Sequence, residues 1–251
     1  IKRECLGSGI SLWRGNSCLS RKNSLMQPII LKEVLRLKKE KKEFSIITDI
    51  NNAANYIYSP QHPLPTTLEP YAPAIKTAAV KRTNGMIAET SLFIDNYHLP
   101  IKVFIVGAVH IAQYFCDFAR HLNFETIIID PRGYFTSKQR FPETKVINKW
   151  PNEAFLELPL HANDALIALT HDPKIDDPAL SHALTQQCFY IGALGSKKSH
   201  ASRCQRLQAL GFTDAALSSI HGPIGIKLGG RAAPEIALSI IAQLVTEVYK
   251  R

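Results

Sequence analysis

Residues 101–112 read Ile101-Lys102-Val103-Phe104-Ile105-Val106-Gly107-Ala108-Val109-His110-Ile111-Ala112, and after an amphipathic stretch the chain continues Thr126-Ile127-Ile128-Ile129-Asp130-Pro131-Arg132. An apolar run ends in a glycine, a helical pattern follows, and a second apolar run ends in an aspartate. That succession predicts the first half of a mononucleotide-binding βαβ unit. Asp130 follows Gly107 at close to the roughly 20-residue spacing of a ribose-binding acid. The second glycine of the dinucleotide fingerprint, which lets backbone approach a pyrophosphate, is Val109 here. Its Cβ and methyl groups would crowd a diphosphate lying across the turn. The stretch thus argues for the fold and against an ordinary dinucleotide site.

Downstream the same rhythm continues. Strands are predicted at 101–106, 125–130, 144–148, 164–169 and 188–192, with helices at 110–122, 151–157, 176–186 and 197–210. A last helix begins at Pro234-Glu235, with an apolar stripe of Ile236, Ile240, Ile241, Leu244, Val245 and Val248 that reads as core packing. Strand alternating with helix predicts an α/β domain over 99–251, a doubly wound, Rossmann-like parallel sheet. Upstream, residues 1–98 have a different texture. They predict a smaller N-terminal α+β domain: a helix near 28–42, a hairpin of Phe44–Thr48 with Ala53–Tyr58, and a strand from Met86 to Ile94. Pro60, Pro63, Pro65, Pro70 and Pro73 make the segment between them a loop. Because Ile1 opens no signal-peptide pattern, we expect the numbering to start inside a longer protein, with this domain truncated at its start.

Composition bounds the possible functions. The 251 residues are 45% hydrophobic and 20% charged, as in ordinary globular proteins, and no apolar run approaches a membrane span. Cys5, Cys18, Cys116, Cys188 and Cys204 are odd in number and lack C-x-x-C spacing, which fits neither a disulfide framework nor a zinc site and predicts a reducing cytoplasm. The net charge of +9 predicts an anionic ligand or acidic partner. Part of that charge, as in Lys38–Glu43, reads as a solvated helix face. No nucleic-acid motif is present, and neither nucleic acid nor membrane is expected as a partner.

In a parallel sheet every strand's carboxyl end reaches one edge, where ligands bind. Just past the predicted strands come Gly107 and His110; Asp130 and Arg132; Thr170, His171 and Asp172; and Gly192, Gly195, Ser196, Lys197 and Lys198. These are the candidate binding residues, expected to line one crevice. Each also has a purely structural reading. His110 can sit in the first turn of its helix, Asp130 can pair with Arg132, and Asp172 can cap the next turn. Thr170-His171-Asp172 resembles part of a hydrolase triad, but no Gly-x-Ser-x-Gly elbow accompanies it, so no catalytic residue and no metal ligand is expected. Gly195-Ser196-Lys197-Lys198 carries the clearest mechanism: Ser196 as N-cap, free N–H groups, the helix dipole and two lysines form an anion site. Gly229-Gly230-Arg231, before the last helix, is a second such place.

Five stretches together resemble the xanthine dehydrogenase accessory protein family (XdhC/CoxI). They are Gly107-Ala108-Val109-His110; Asp130-Pro131-Arg132 with Arg140-Phe141-Pro142; Thr170-His171-Asp172-Pro173; Ile191-Gly192-Ala193-Leu194-Gly195-Ser196; and Gly222-Pro223-Ile224-Gly225 through Gly229-Gly230-Arg231-Ala232-Ala233-Pro234-Glu235-Ile236-Ala237. The resemblance covers nearly all of 99–251. It implies a Rossmann-like chaperone that binds and protects the molybdopterin-type molybdenum cofactor while a cysteine desulfurase supplies its terminal sulfur. The cofactor then passes to an apo molybdenum hydroxylase of the xanthine dehydrogenase type. It implies an accessory protein rather than an enzyme, cytoplasmic and forming a homodimer, with the pterin phosphate suited to Lys197, Lys198 and the helix N-termini.

The chain departs from the family pattern in three places. The usual Gly-Ala-Gly-His is Gly-Ala-Val-His, the usual Gly-Leu-Asp-Ile-Gly is Gly225-Ile226-Lys227-Leu228-Gly229, and Leu6-Gly7-Ser8-Gly9-Ile10 carries Ile10 where relatives carry a cysteine, with Cys5 and Cys18 nearby but out of register. The alternative function is an NAD(P)-dependent oxidoreductase, with Asp130 on the ribose and His171 as acid/base. A nucleotide-sensing regulatory module is a third class, for which no DNA-binding element is visible.

Overall fold

The structure, a computed structural model, describes residues 26–250; the readings placed on Cys5, Leu6–Ile10 and Cys18 lie outside the described residues. The first part of the chain is α1 (Pro28–Lys39), β1 (Phe44–Asp49), β2 (Ala54–Tyr58), α2 (Ala72–Val80), β3 (Gly85–Met86) and β4 (Leu92–Tyr97). Its strands form a four-stranded antiparallel sheet in the order β2-β1-β4-β3. One face buries Ile47, Ile87, Leu92 and Ile94 under Leu68 and Ile75, and the other packs Phe44 and Ile57 on Val34 and Leu37 of α1.

Two expectations are corrected here. The proline-rich segment is not simply loop: a 3₁₀ turn at Thr66–Tyr71 leads into α2. Pro73 sits in the first turn of α2, where no N–H is needed, and burial of Leu68 and Ile75 holds the segment on the sheet. Met86–Ile94 is not one strand. The chain turns at Glu89, whose φ is 58°, and β3 folds back on β4 with Gly85 opposite Ile94.

The rest of the chain is β5 (Ile101–Val106), α3 (His110–Arg120), β6 (Phe124–Ile129), β7 (Lys145–Ile147), α4 (Pro151–Glu157), β8 (Ala165–Ala168), α5 (Pro173–Thr185), β9 (Tyr190–Ala193), α6 (Lys197–Ala209), α7 (Asp214–Leu217), β10 (Ile220–His221) and α8 (Ala233–Val248). All six strands are parallel, in the order β10-β9-β8-β5-β6-β7. Numbered within this sheet alone, that is 3-2-1-4-5-6 read from β7, the Rossmann order, and it reverses between β5 and β8. Alternation along β5 divides the core. Phe104 and Val106 face a layer that holds Ala154, Phe155, Ala179, Leu180 and Leu207; Val103 and Ile105 face Ala112, Phe115, Ile240 and Leu244 of α3 and α8. The expected α8 stripe therefore packs inward at Ile240, Ile241, Leu244 and Val248.

Helix α5 starts earlier than its apolar pattern implied, because Asp172 caps it and Pro173 occupies a tolerated first-turn position. The sixth strand, β10, is only two residues long and carries no periodicity to detect. No helix among the described residues is long and apolar enough to cross a membrane.

Phe104 is fully buried in the central strand and meets the Phe155 ring edge-on at 6.0 Å. Phe104→Ala should lower unfolding free energy by about 3–5 kcal/mol in a denaturant titration, the cost of an aromatic-sized cavity. A loss below about 1 kcal/mol would show that this layer is not tightly packed.

Candidate functional site

Backbone bonds extend the sheet past its strand ends. Leu169 N–H donates to Val106 O at 2.8 Å, Leu194 N–H to Ala168 O at 2.8 Å, and Gly107 N–H to Ile129 O at 2.9 Å. The loops after β5, β6, β8 and β9 are thereby stitched side by side along the carboxyl edge. Gly107 has φ +113°, and a Cβ there would lie 2.8 Å from Thr170 Cγ2, so the loops after β5 and β8 touch at the point where strand order reverses.

Asp130 is fully buried. Its Oδ2 accepts from Ala108 N–H at 2.8 Å and Arg132 Nη2 at 2.7 Å, while Oδ1 accepts from Arg132 N–H and Nε, both at 2.9 Å. Burial pushes its carboxyl up, but the Arg132 guanidinium and the two N–H donors outweigh burial and hold it below the usual carboxylate range. The acid at the ribose position is thus occupied within the chain, clamping the first turn to the second. Val109 is the N-cap of α3 and makes no side-chain cap; His110 is the exposed first residue of that helix.

After β8, Asp172 Oδ1 accepts from Lys174 N–H at 2.9 Å as the N-cap of α5. The residue that organises this loop is Asp176, which sequence reasoning missed. It is buried; Oδ1 accepts from Thr170 Oγ1 at 2.6 Å, and Oδ2 accepts from His171 N–H at 3.1 Å. These bonds hold His171 in the left-handed region, φ 62°, with its side chain exposed. Burial pushes the Asp176 carboxyl up. Its only signal in the sequence was an acid in the first turn of a helix, a favourable place beside the dipole.

After β9, Ser196 Oγ accepts from Ser199 N–H at 3.1 Å and Ser199 Oγ accepts from Ser196 N–H at 2.7 Å, a reciprocal cap on α6. Gly195, φ +143°, is required because a Cβ would lie 2.6 Å from Ser199 Oγ. Below this turn lies Arg203, 3% exposed, which donates through Nη2 to Leu194 O at 2.9 Å. Its Nε and Nη1 have no hydrogen-bond partner among the described residues. Burial lowers its affinity for the proton. Beside it, Arg206 Nε binds Asp177 Oδ2 at 2.5 Å.

These elements enclose a cleft of about 340 Å³ between the starts of α5 and α6, walled by His171, Ser196, Lys198, Ser199, Arg203 and Arg206. Among the described residues it has basic groups on its walls and no carboxylate. Lys198 lines it; Lys197 does not. Of the sequence candidates, His171, Ser196 and Lys198 form the wall of this cleft; Thr170 and Asp172 hold the loop after β8 beside it, and Gly107, Asp130 and Arg132 hold the turns after β5 and β6 and do not line it. Gly192 lies inside β9, where a Cβ would strike Ile224. At Gly229-Gly230-Arg231 the Glu235 carboxylate accepts from Ala232 N–H at 2.9 Å, so the N-terminus of α8 already holds an anion. A larger cavity, about 630 Å³, lies at the opposite edge of the sheet, against the start of β1, the end of β2 and α2, and is lined by Glu43, Arg82, His98, Lys102 and Asp164.

A family model described as the XdhC Rossmann domain matches residues 103–244. The chain is 26% identical over 157 residues to a probable xanthine dehydrogenase subunit of Bacillus subtilis, covering 62% of this chain and 46% of that protein. It is 32% identical over 104 residues to the "molybdenum cofactor insertion chaperone PaoD" of Escherichia coli, covering 41% and 32%. Among solved structures, one described as a xanthine dehydrogenase from Bacillus halodurans superposes with a TM-score of 0.66 at 21% identity, over 89% of this chain and 65% of that one. The chain spans less than half the length of these two curated relatives.

The Asp130 clamp gives a pH signature. A carboxyl held below its unfolded value contributes stability that is complete above about pH 4 and is lost as pH falls through the lowered value. Asp130→Asn should cost about 2–4 kcal/mol at neutral pH and flatten the acid limb of the stability curve; the lower end reflects the solvent exposure of Arg132. An unchanged acid limb in the variant would contradict the clamp.

Proposed function

The chain belongs to the XdhC family, and from that premise we propose that it is an accessory protein that binds and protects a molybdopterin-type molybdenum cofactor and delivers it to an apo molybdenum hydroxylase of the xanthine dehydrogenase type. The observation that carries this reading is the basic cleft at the start of α6, on the ligand-binding edge of a Rossmann sheet. A relative that covers part of this chain is named for insertion of the same cofactor.

The cargo's phosphate monoester is the group this cleft suits. The N–H groups of Lys197 and Lys198, the first two of α6, have no carbonyl within the helix to bond, whereas that of Ser199 is taken by Ser196 Oγ; the first two add to the dipole and the Lys198 ammonium. Protection needs no nucleophile, and the site residues act by binding. His171, held with its side chain outward, and Lys198 form the rim; Thr170 and Asp176 keep the rim loop in place. A cysteine desulfurase that adds the terminal sulfur, a homodimeric assembly and a cytoplasmic setting belong to the same proposal.

The oxidoreductase reading draws support from Gly107, whose positive φ at the head of the first strand matches a nucleotide-binding turn. Against it stand Val109 at the start of α3 and the engagement of Asp130 by Arg132 and Ala108.

Two measurements bear on these readings. Binding of molybdopterin, followed by the fluorescence of its oxidised pterin, should weaken about five- to tenfold in Lys198→Ala and stay near wild type in Lys197→Ala. Equal affinity in all three proteins would remove the cleft from the cargo site. Mixed with NAD(P) and alcohols, aldehydes or xanthine, the protein should show no steady-state turnover; turnover abolished by Asp130→Ala would restore the oxidoreductase reading.

A further inference from the structure

Three helices begin along the carboxyl edge or its rim, two of them at places where the sequence suggested anion binding, and the chain treats them differently. At the turn before α3, Asp130 accepts from Ala108 N–H; at α8, Glu235 accepts from Ala232 N–H. At α6 the cap is a pair of neutral serines. The independent observation is Arg203. This guanidinium is 3% exposed, makes one hydrogen bond, to Leu194 O, and leaves Nε and Nη1 without partners.

A buried cation is costly unless a counter-charge accompanies it. The acids nearest in its field, Asp176 and Asp177, are committed elsewhere: Asp176 to Thr170 and His171, Asp177 to Arg206. Neither forms an ion pair with Arg203. Among the described residues no carboxylate pairs with Arg203, and Arg203 itself lines the cleft above it.

We propose that this cleft is a receptor for a single phosphate monoester, with Arg203 as the buried charge in its floor and Lys198, His171 and the first N–H groups of α6 as its outer contacts. Because Nε and Nη1 are closed off from solvent, Arg203 acts on the anion chiefly through its field. In the low-dielectric floor that field is screened less than the field of a solvated lysine. A diphosphate laid across the first turn, as in a dinucleotide site, is disfavoured by the same arrangement, since Asp130 already takes the Ala108 N–H and Val109 replaces the second glycine. The anion site is thus moved from the first strand of the Rossmann sheet to its fifth.

This inference rests on the proposed function only for the identity of the molecule that carries the phosphate, so the probe is inorganic phosphate, with glycerol 3-phosphate as a simple monoester and ADP as a diphosphate. Titration calorimetry on the whole chain should show phosphate and glycerol 3-phosphate competing for one site. Arg203→Gln should weaken both by at least about tenfold, and Arg203→Lys, which keeps the charge, by about threefold or less. Lys198→Gln, a change on an exposed side chain, should weaken them about five- to tenfold, as it does the cargo, and reduce the salt dependence.

Phosphate binding that is absent, or the same in Lys198→Gln as in wild type, overturns the proposal even if Arg203→Gln does not fold. ADP binding that persists undiminished in Arg203→Gln and in Lys198→Gln overturns it as well, by locating the anion elsewhere. Phosphate binding with no affinity for molybdopterin would leave this site standing and remove the cargo reading. Molybdopterin binding without a phosphate response would do the reverse.

Discussion

Strand β5 pairs in parallel with β6 on one side and with β8 on the other, and everything at the functional edge depends on that split. Right-handed crossovers leaving a central strand in opposite directions must lay their helices on opposite faces. Hence α3 covers one face, where α8 joins it after the last strand, and α4, α5 and α6 cover the other. The two sets of loops diverge above the gap between β5 and β8. Gly107 and Thr170 meet there, so closely that a side chain at Gly107 would collide with the threonine. The edge is therefore a geometric consequence of strand order, and what it binds is decided by the charges the loops bring to it.

Those charges are unevenly spent. Helix N-termini concentrate partial positive charge and unpaired N–H groups, and a protein must satisfy them or leave them for a ligand. Here carboxylates of the chain satisfy most of them: Asp130 before α3, Asp172 at α5, Glu235 at α8. The start of α6 is left with neutral caps above a buried arginine. This distribution leaves the start of α6 as the place that the proposed anion would occupy, and fills the first turn, where a dinucleotide would ordinarily lie, with the Asp130 carboxylate. It also accounts for Val109 in place of glycine: once the turn is closed by Asp130, close approach of a pyrophosphate is no longer a constraint on that position.

Much of this was legible in the sequence because it is local. The apolar runs at 101–106 and 125–130, the helix-length intervals and the amphipathic stripe of the last helix depend on periodicity that folding does not alter. Ser196 and Asp172 were identifiable as caps for the same reason, since an N-cap acts within three residues. Where prediction failed, the cause was contact with something distant. The proline-rich segment carries α2 because Leu68 and Ile75 find a sheet to cover, and β10 exists because Ile191 and Gly192 offer it an edge to pair with.

The division falls at the same place in the site. By itself the amino-acid sequence determined the α/β class, the parallel sheet, the edge to which candidate residues belong and the family they resemble. Tertiary structure alone decided which of those residues are consumed in holding the fold. Asp130 has the position of a ligand-binding acid, yet its carboxylate is held between Ala108 and Arg132. Arg203 is one of many helix cations in the sequence, and only packing makes it buried and short of partners. The reason is physical: residue type fixes what a group can donate or accept, whereas burial and the pairing of its neighbours fix what it has left to offer, and those are set by the packing of chain segments far apart in sequence.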